Sequence, residues 1–148
     1  LPLLFFDSEE LNRVDCPSPP SKHARAAIKE MYRQVGDLVM DDDGIAVKGL
    51  IVRHLILPGN LAGSESSLAW LAAEVSPTIT VSIMSQYFPT HKAREVPELA
   101  RTITAEEYSS VVKTLERLGM ENGWLQQMGA DSNYRPDFDR DQHPFEPA

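Results

Sequence analysis

Apolar residues recur every three or four positions in three separate stretches of the chain, and this spacing predicts three helices. They cover about 22–36, 65–75 and 105–118. Thr104 and Glu107 have the spacing of a capping box, in which each side chain accepts a bond from the backbone of the other. Each helix carries one apolar stripe and therefore needs a surface that covers it.

Short apolar runs between these helices predict strands. The strongest is 49–59, which is nearly continuously apolar, rich in branched residues and ended by a Pro-Gly pair. Such a composition is typical of a strand that is covered on both faces in a parallel sheet. Further strands are predicted over 78–84 and 123–127, with another at 1–6.

An aspartate-rich turn separates two more apolar runs. The runs 38–40 and 45–47 flank Asp41-Asp42-Asp43-Gly44, and an Asp-Gly pair between short apolar runs predicts a β-hairpin. The three aspartates are interpreted as turn residues and not as a metal site, because calcium loops spread their ligands over about 12 residues.

The order of the elements predicts an α/β fold. Helices and strands alternate, which implies crossover connections and a mostly parallel sheet with the short hairpin added. A closed barrel of eight strands needs about 250 residues, so 148 residues suggest part of a (β/α) barrel or a small open sheet that hides its edges by association. Residues 1–128 are assigned to this unit, and 129–148 to a polar C-terminal tail.

Composition narrows the classes of partner. The chain has 14 basic and 22 acidic residues, so its formal charge is 14 − 22 = −8. This balance argues against nucleic acid and against anionic membranes. The single cysteine, Cys16, excludes an internal disulfide and a cysteine-only metal site built from this chain alone. With no apolar stretch of membrane-spanning length, we expect a cytoplasmic protein.

Two polar residues stand inside the strongest strand. Arg53 and His54 are adjacent, so they should point to opposite faces of the sheet. A buried arginine is costly unless it meets an anion. Arg53 therefore contacts either a bound anionic group or an internal Asp or Glu. For His54, a hydrogen-bonded core histidine is the favoured interpretation.

Polar and aromatic residues follow the predicted strand ends, where parallel sheets bind ligands. Gln86 would offer an amide, and Tyr87 and Phe88 would offer ring faces to a planar ligand. The alternative is that these rings pack under the long loop 86–103. The turn Pro58–Asn60 either faces a ligand in the same layer or is simply a turn.

Other polar positions carry weaker signals. His91 and Lys92 form either a solvated pair or a catalytic or phosphate-binding pair. Acidic residues scattered through 131–146 are expected to be solvated. No Gly-rich phosphate loop, Ser/His/Asp order or metal-ligand spacing stands out.

Four segments, in this order, resemble the C-terminal half of radical S-adenosylmethionine proteins similar to the pyruvate formate-lyase activating enzyme. A weaker echo follows at 133–138. The similarity runs over about 22–128, and its four segments are EMYRQVGDL (30–38), GLIVRHLILPGN (49–60), MSQYFP (84–89) and LGMENGW (118–124).

The resemblance implies a radical-SAM partial (β/α) barrel to which this chain supplies the later strands. Members of that family hold a [4Fe-4S] cluster on three cysteines spaced C-x-x-x-C-x-x-C. The cluster reduces S-adenosyl-L-methionine to a 5′-deoxyadenosyl radical, which abstracts hydrogen from a substrate. In activating enzymes the substrate is a glycine of a partner, a glycyl radical enzyme.

The sequence departs from this family at the cluster. It contains no C-x-x-x-C-x-x-C, and Cys16 cannot replace that motif. The opening residues 1–6 also differ, because relatives tend to have an Asp and a Lys after Leu-Pro. We therefore expect the chain alone to be inactive and to act with an N-terminal half of the barrel as its partner. The alternative is a non-catalytic, truncated α/β domain that binds a small ligand or a partner, or associates with itself, through its open sheet edge.

Binding roles carry over from the resemblance by position. Arg53 matches a strand arginine facing the cofactor, where it would pair with the methionyl carboxylate or a substrate carboxylate. Pro58 and Asn60 match the turn that ends the same strand. The residues that match the approach to the adenine are Gln86, Tyr87 and Phe88. No catalytic acid or base is identified.

Overall fold

The computed structural model describes residues 20–129, which form a mixed α/β fold. The predicted strand at 1–6, Cys16 and the tail from 130 onward lie outside these residues. The elements in chain order are α1 (Pro20–Val35), β1 (Val39–Met40), β2 (Ala46–Lys48), β3 (Ile51–Leu55), α2 (Ser64–Glu74), β4 (Thr80–Met84), α3 (Ala105–Leu118) and β5 (Gly123–Leu125), with single 3-10 turns at Pro58–Asn60 and His91–Glu95.

All three predicted helices are present. The first begins at Pro20, two residues before the predicted start, and proline suits the beginning of a helix because it has no backbone N–H to leave unpaired. The capping box of α3 is confirmed. The Thr104 side chain accepts a bond from the Glu107 backbone, and the Glu107 carboxylate accepts one from the Thr104 backbone at 2.8 Å.

A parallel sheet of three strands forms the centre of the fold. Its order is β3-β4-β5, and both pairings are parallel, as the alternation of elements predicts. The strand predicted over 49–59 is ordered as a strand only over Ile51–Leu55, because the chain turns at Pro58. The register places Arg53 beside Ser82, and Ser82 beside Trp124.

The predicted hairpin is confirmed as a separate two-stranded antiparallel sheet. Asp41 closes its turn, since one carboxylate oxygen accepts bonds from the backbone of Asp43 at 3.1 Å and of Ile45 at 2.8 Å. The hairpin leaves four large apolar side chains more than half exposed: Val39, Met40, Ile45 and Val47.

The core lies on one side of the parallel sheet. Val52 of β3 and Val81 and Ile83 of β4 point into it. All three helices contribute buried side chains to the same cluster: Ile28 from α1, Leu68 and Leu71 from α2, and Val111 and Leu115 from α3. The second face of β3, with Ile51, Arg53 and Leu55, is half-buried and takes no part in this cluster. Within residues 20–129, the helices therefore cover one face of β3, and cover over the second face stays a prediction.

Within residues 20–129, no helix combines the length and the apolar character that crossing a bilayer requires, and the longest, α1, has 16 residues.

Candidate functional site

Arg53 lies on the sheet face that points away from the helices. It is half-buried, and the strand register aligns it with Ser82 and Trp124 across the sheet. Side chains of paired residues in a parallel sheet share one face, so these three form a row, named here the Arg53 row. Within residues 20–129 Arg53 makes no ion pair. A guanidinium in this position is suited to an anionic group.

His54 points to the opposite face and belongs to the core. It is 1% exposed, and its Nε2 lies 2.8 Å from the Ser64 hydroxyl at the start of α2. Burial lowers the pKa of His54 to about 4, so its imidazole is neutral near pH 7. The interpretation of His54 as a hydrogen-bonded core histidine is confirmed.

The carboxyl ends of β4 and β5 are joined by a side-chain network. The Gln126 amide oxygen accepts a bond from the Ser85 backbone at 3.0 Å, and the Ser85 hydroxyl donates to the Gln127 carbonyl at 2.8 Å. The Gln126 amide nitrogen donates to the Gln86 side-chain oxygen at 2.9 Å. These bonds fix the orientation of Gln86 beside the end of the sheet.

The aromatic residues after β4 lie close to the long loop. The Tyr87 hydroxyl donates to the Leu99 carbonyl at 2.9 Å, and its ring packs against the core. Partial burial raises the pKa of Tyr87, so the hydroxyl keeps its proton. Phe88 is half-buried beside it. Packing under the loop is observed for Tyr87, and a contact of either ring with a ligand stays a prediction.

The turn after β3 is fixed by bonds to two helices. Pro58 is buried, and the Gly59 backbone donates to the Glu107 carboxylate of α3 at 2.6 Å. The Asn60 side-chain oxygen accepts from the Ser64 backbone at 3.1 Å, which satisfies a backbone N–H in the first turn of α2. The turn therefore has a structural function whether or not it also faces a ligand.

Glu107 connects three parts of the chain. Besides Gly59 and Thr104, it binds Arg101 through two bonds of 2.7 and 2.9 Å. Hydrogen bonding to Arg101, opposed by partial burial and aided by the two backbone donors, lowers the pKa of Glu107 to about 2. The carboxylate is thus charged at any pH at which the protein is handled.

Replacing Glu107 should destabilise the fold. We expect Glu107→Ala to reduce the free energy of unfolding by about 2 kcal/mol, because four N–H donors from three residues lose a charged acceptor that is only partly accessible to water. The matched control is Lys113→Ala on the same helix, which is exposed and should change stability by less than about 0.5 kcal/mol. Urea unfolding followed by circular dichroism measures both, and equal effects would contradict the assignment.

Metal ligation has no support in the described part. Within residues 20–129 no group of three or more His, Cys, Asp or Glu side chains is placed to hold a metal ion. His91 and Lys92 are both exposed on the loop. Cys16 and the acidic tail lie outside these residues.

Three polar or aromatic residues near the strand ends were not singled out from sequence. Ser85 and Gln126 join the two loops, and Trp124 completes the Arg53 row. Gln126 carried the same signal as Gln86, a glutamine directly after a strand, but it was interpreted only as part of the strand.

Comparisons with known proteins give one similarity. The chain is 28% identical over 72 residues to an uncharacterized protein of Methanocaldococcus jannaschii. The match covers 49% of this chain and 21% of that protein, so the chain matches about a fifth of the relative's length. No protein-family model matches the chain. No solved structure matches it either.

Proposed function

We propose that this chain is the later-strand part of a radical S-adenosylmethionine barrel similar to the pyruvate formate-lyase activating enzyme. In this proposal the sheet face that carries Arg53 holds an anionic group of the cofactor or of the substrate. The observation that supports it most is the half-buried Arg53 without an ionic partner in residues 20–129.

The sheet topology is compatible with a portion of such a barrel. Parallel strands in sequential order, with their helices on one side, are the repeating unit of (β/α) barrels. In a barrel the other side faces the interior. That placement would account for the polar residues Arg53 and Ser82 on the face away from the helices.

The residues present are suited to binding S-adenosyl-L-methionine but do not supply the ligands of an iron-sulfur cluster. Arg53 suits a carboxylate such as that of S-adenosyl-L-methionine, and Gln86 lies at a strand end where an adenine edge would need hydrogen bonds. The chain has one cysteine, so three cluster ligands would have to come from another polypeptide segment. If held here beside a cluster, S-adenosyl-L-methionine would supply radical chemistry for hydrogen abstraction. The roles proposed for this chain are binding and orientation.

Removal of the guanidinium tests the proposal. In the natural polypeptide that carries this sequence, we expect Arg53→Ala to weaken binding of S-adenosyl-L-methionine roughly 10- to 100-fold, the value of a bond to a charged group. Arg53→Lys should recover part of this loss because it restores the charge without the two-pronged geometry. Isothermal titration calorimetry measures the affinities.

The control removes an arginine elsewhere. Arg33 is exposed on α1 and pairs with Glu30, so Arg33→Ala changes the net charge equally but should leave affinity unchanged. Unchanged affinity in Arg53→Ala together with a large loss of stability would sink the proposal and favour an internal ion pair. Failure of the wild-type polypeptide to bind the cofactor would sink it as well.

A further inference from the structure

A groove runs beside β5 on the helix side of the sheet. It has a volume of about 460 Å³ and lies between β5 and α3. Its lining includes four apolar and two acidic residues: Val112, Leu115, Met120, Leu125, Glu116 and Glu121. Leu115 and Met120 are buried, Val112 is half-buried, and the other three are exposed.

The position of the groove continues the pattern of the fold. In the described part, α2 follows β3, α3 follows β4, and the two helices pack side by side. The next place in that row, beside α3 and behind β5, is the groove. A helix about 11 Å wide with a pitch of 5.4 Å fills roughly 500 Å³ per turn. The groove therefore has room for the inner face of about two turns.

The lining specifies the chemistry of an occupant. Leu115 and Met120 form an apolar floor, and Leu125 is 47% exposed, which is high for a large apolar side chain. Glu116 and Glu121 stand on the rim, and neither forms an ion pair within residues 20–129. Among residues 20–129, no Lys or Arg lines the groove. An occupant with an apolar face and basic flanks is complementary to this surface.

Neither the tail of this chain nor a second copy has that chemistry. Residues 130–148 contain two arginines and five acidic residues, a net charge of 2 − 5 = −3, and three prolines that oppose a helix. A second copy brings a net charge of −8 and the same acidic rim. The basic helix α1 is also excluded as the occupant, because its apolar face already packs in the core, where Ile28 is fully buried.

We propose that the groove between α3 and β5 is a docking site for an amphipathic helix with basic flanks, supplied by a polypeptide segment outside residues 1–148. This inference does not depend on Arg53 or on any cofactor. It assigns an interaction to the helix side of the sheet, opposite to the face discussed under the proposed function.

A pair of designed peptides tests the docking site. Each has about 14 residues, or roughly four helical turns, with leucines on one face. One has lysine flanks and the other glutamate flanks. Isothermal titration calorimetry with the full chain measures the affinity of each peptide. We expect the lysine peptide to bind about tenfold more tightly than the glutamate peptide.

Variants localise the binding. Leu125→Asp should abolish it, whereas Val47→Asp, at an apolar position of the hairpin that is more exposed than Leu125, should leave it unchanged. Glu116→Lys combined with Glu121→Lys should reverse the preference between the peptides. Equal binding of both peptides, or of neither, overturns the proposal.

Two further outcomes identify a different occupant and also overturn it. Sedimentation velocity that shows a dimer, separated by Leu125→Asp, would mean that a second copy fills the groove. In the chain carrying Trp70→Phe, Trp124→Phe and Leu125→Trp, protection of the remaining tryptophan from acrylamide quenching in the monomer would mean that a segment of the same chain fills it. The expected result is a monomer in which this tryptophan is accessible, since Leu125 is 47% exposed.

Discussion

Gly123→Ala should unfold the end of the parallel sheet and reduce the free energy of unfolding by about 4 kcal/mol. Gly123 has a φ of 142°, which other residues rarely adopt, and an added Cβ would overlap the carbonyl oxygen of Val81 in the neighbouring strand. That oxygen belongs to the backbone and cannot rotate aside. To relieve the overlap β5 must move away, which adds backbone strain of about 1–3 kcal/mol to the loss of ladder bonds worth about 1 kcal/mol each.

The control separates backbone strain from overlap. Gly44 in the hairpin turn also has a positive φ, 75°, but no atom lies within 4 Å of an added Cβ. We expect Gly44→Ala to cost only about 1–2 kcal/mol, the value of the left-handed conformation alone. Urea unfolding of the two variants measures the difference, and a Gly123 variant no less stable than the Gly44 variant would show that β5 is not held as described.

Acid should destabilise the protein through His54 before its carboxylates titrate. The pKa of His54 is about 4 in the folded state against an ordinary value of 6.5, so the unfolded chain takes up the proton first. The contribution of His54 to stability is fully present above pH 6.5 and declines as the pH falls toward 4. A difference of 2.5 units corresponds to about 3 kcal/mol in total.

Within residues 20–129, the window between pH 6.5 and about 5 separates His54 from the carboxylates whose pKa is lowered. Glu107, whose pKa is about 2, loses its contribution to stability only as the pH falls below about 5. His54→Gln stays neutral and should remove most of the slope in this window, while His23→Gln, at an exposed position of α1, should retain it. Urea midpoints at half-unit pH steps measure the slopes. A slope that survives in His54→Gln would refute the assignment.

Local signals predicted the elements well because their causes are local. The capping box of α3 needs only Thr104 and Glu107, three positions apart, and the hairpin turn needs only residues between Asp41 and Ile45. The opposite directions of Arg53 and His54 follow from the two-residue period of a strand. Each of these features depends on residues that lie only a few positions apart in the sequence.

The one-sided covering of the sheet was not predictable in the same way. Ile51 and Leu55 are as apolar as Val52, so the composition of β3 does not distinguish its two faces. The placement of the helices decides this, and it depends on packing between distant segments. The shortened β3 likewise reflects the turn at Pro58.

The candidate site was predicted in part. The sequence placed Gln86 at a strand end, but its bond to Gln126 joins residues 40 positions apart and follows from the register of β4 and β5. For Asn60 the sequence leaves two interpretations open, a ligand contact and a simple turn. In the structure its side chain accepts a bond from the Ser64 backbone at the start of α2. The partner of a polar side chain becomes visible only when the register is known.

The spacing between strands sets the distance between the two ends of the Arg53 row. Neighbouring strands lie about 4.8 Å apart, so Arg53 and Trp124, two strands apart, are separated by roughly 10 Å. A small anion such as acetate can reach only the guanidinium. Under the proposed function, a longer molecule that carries a carboxylate at one end and a flat or cationic group at the other would contact both ends at once, so ligand length as well as charge would decide which molecules bind.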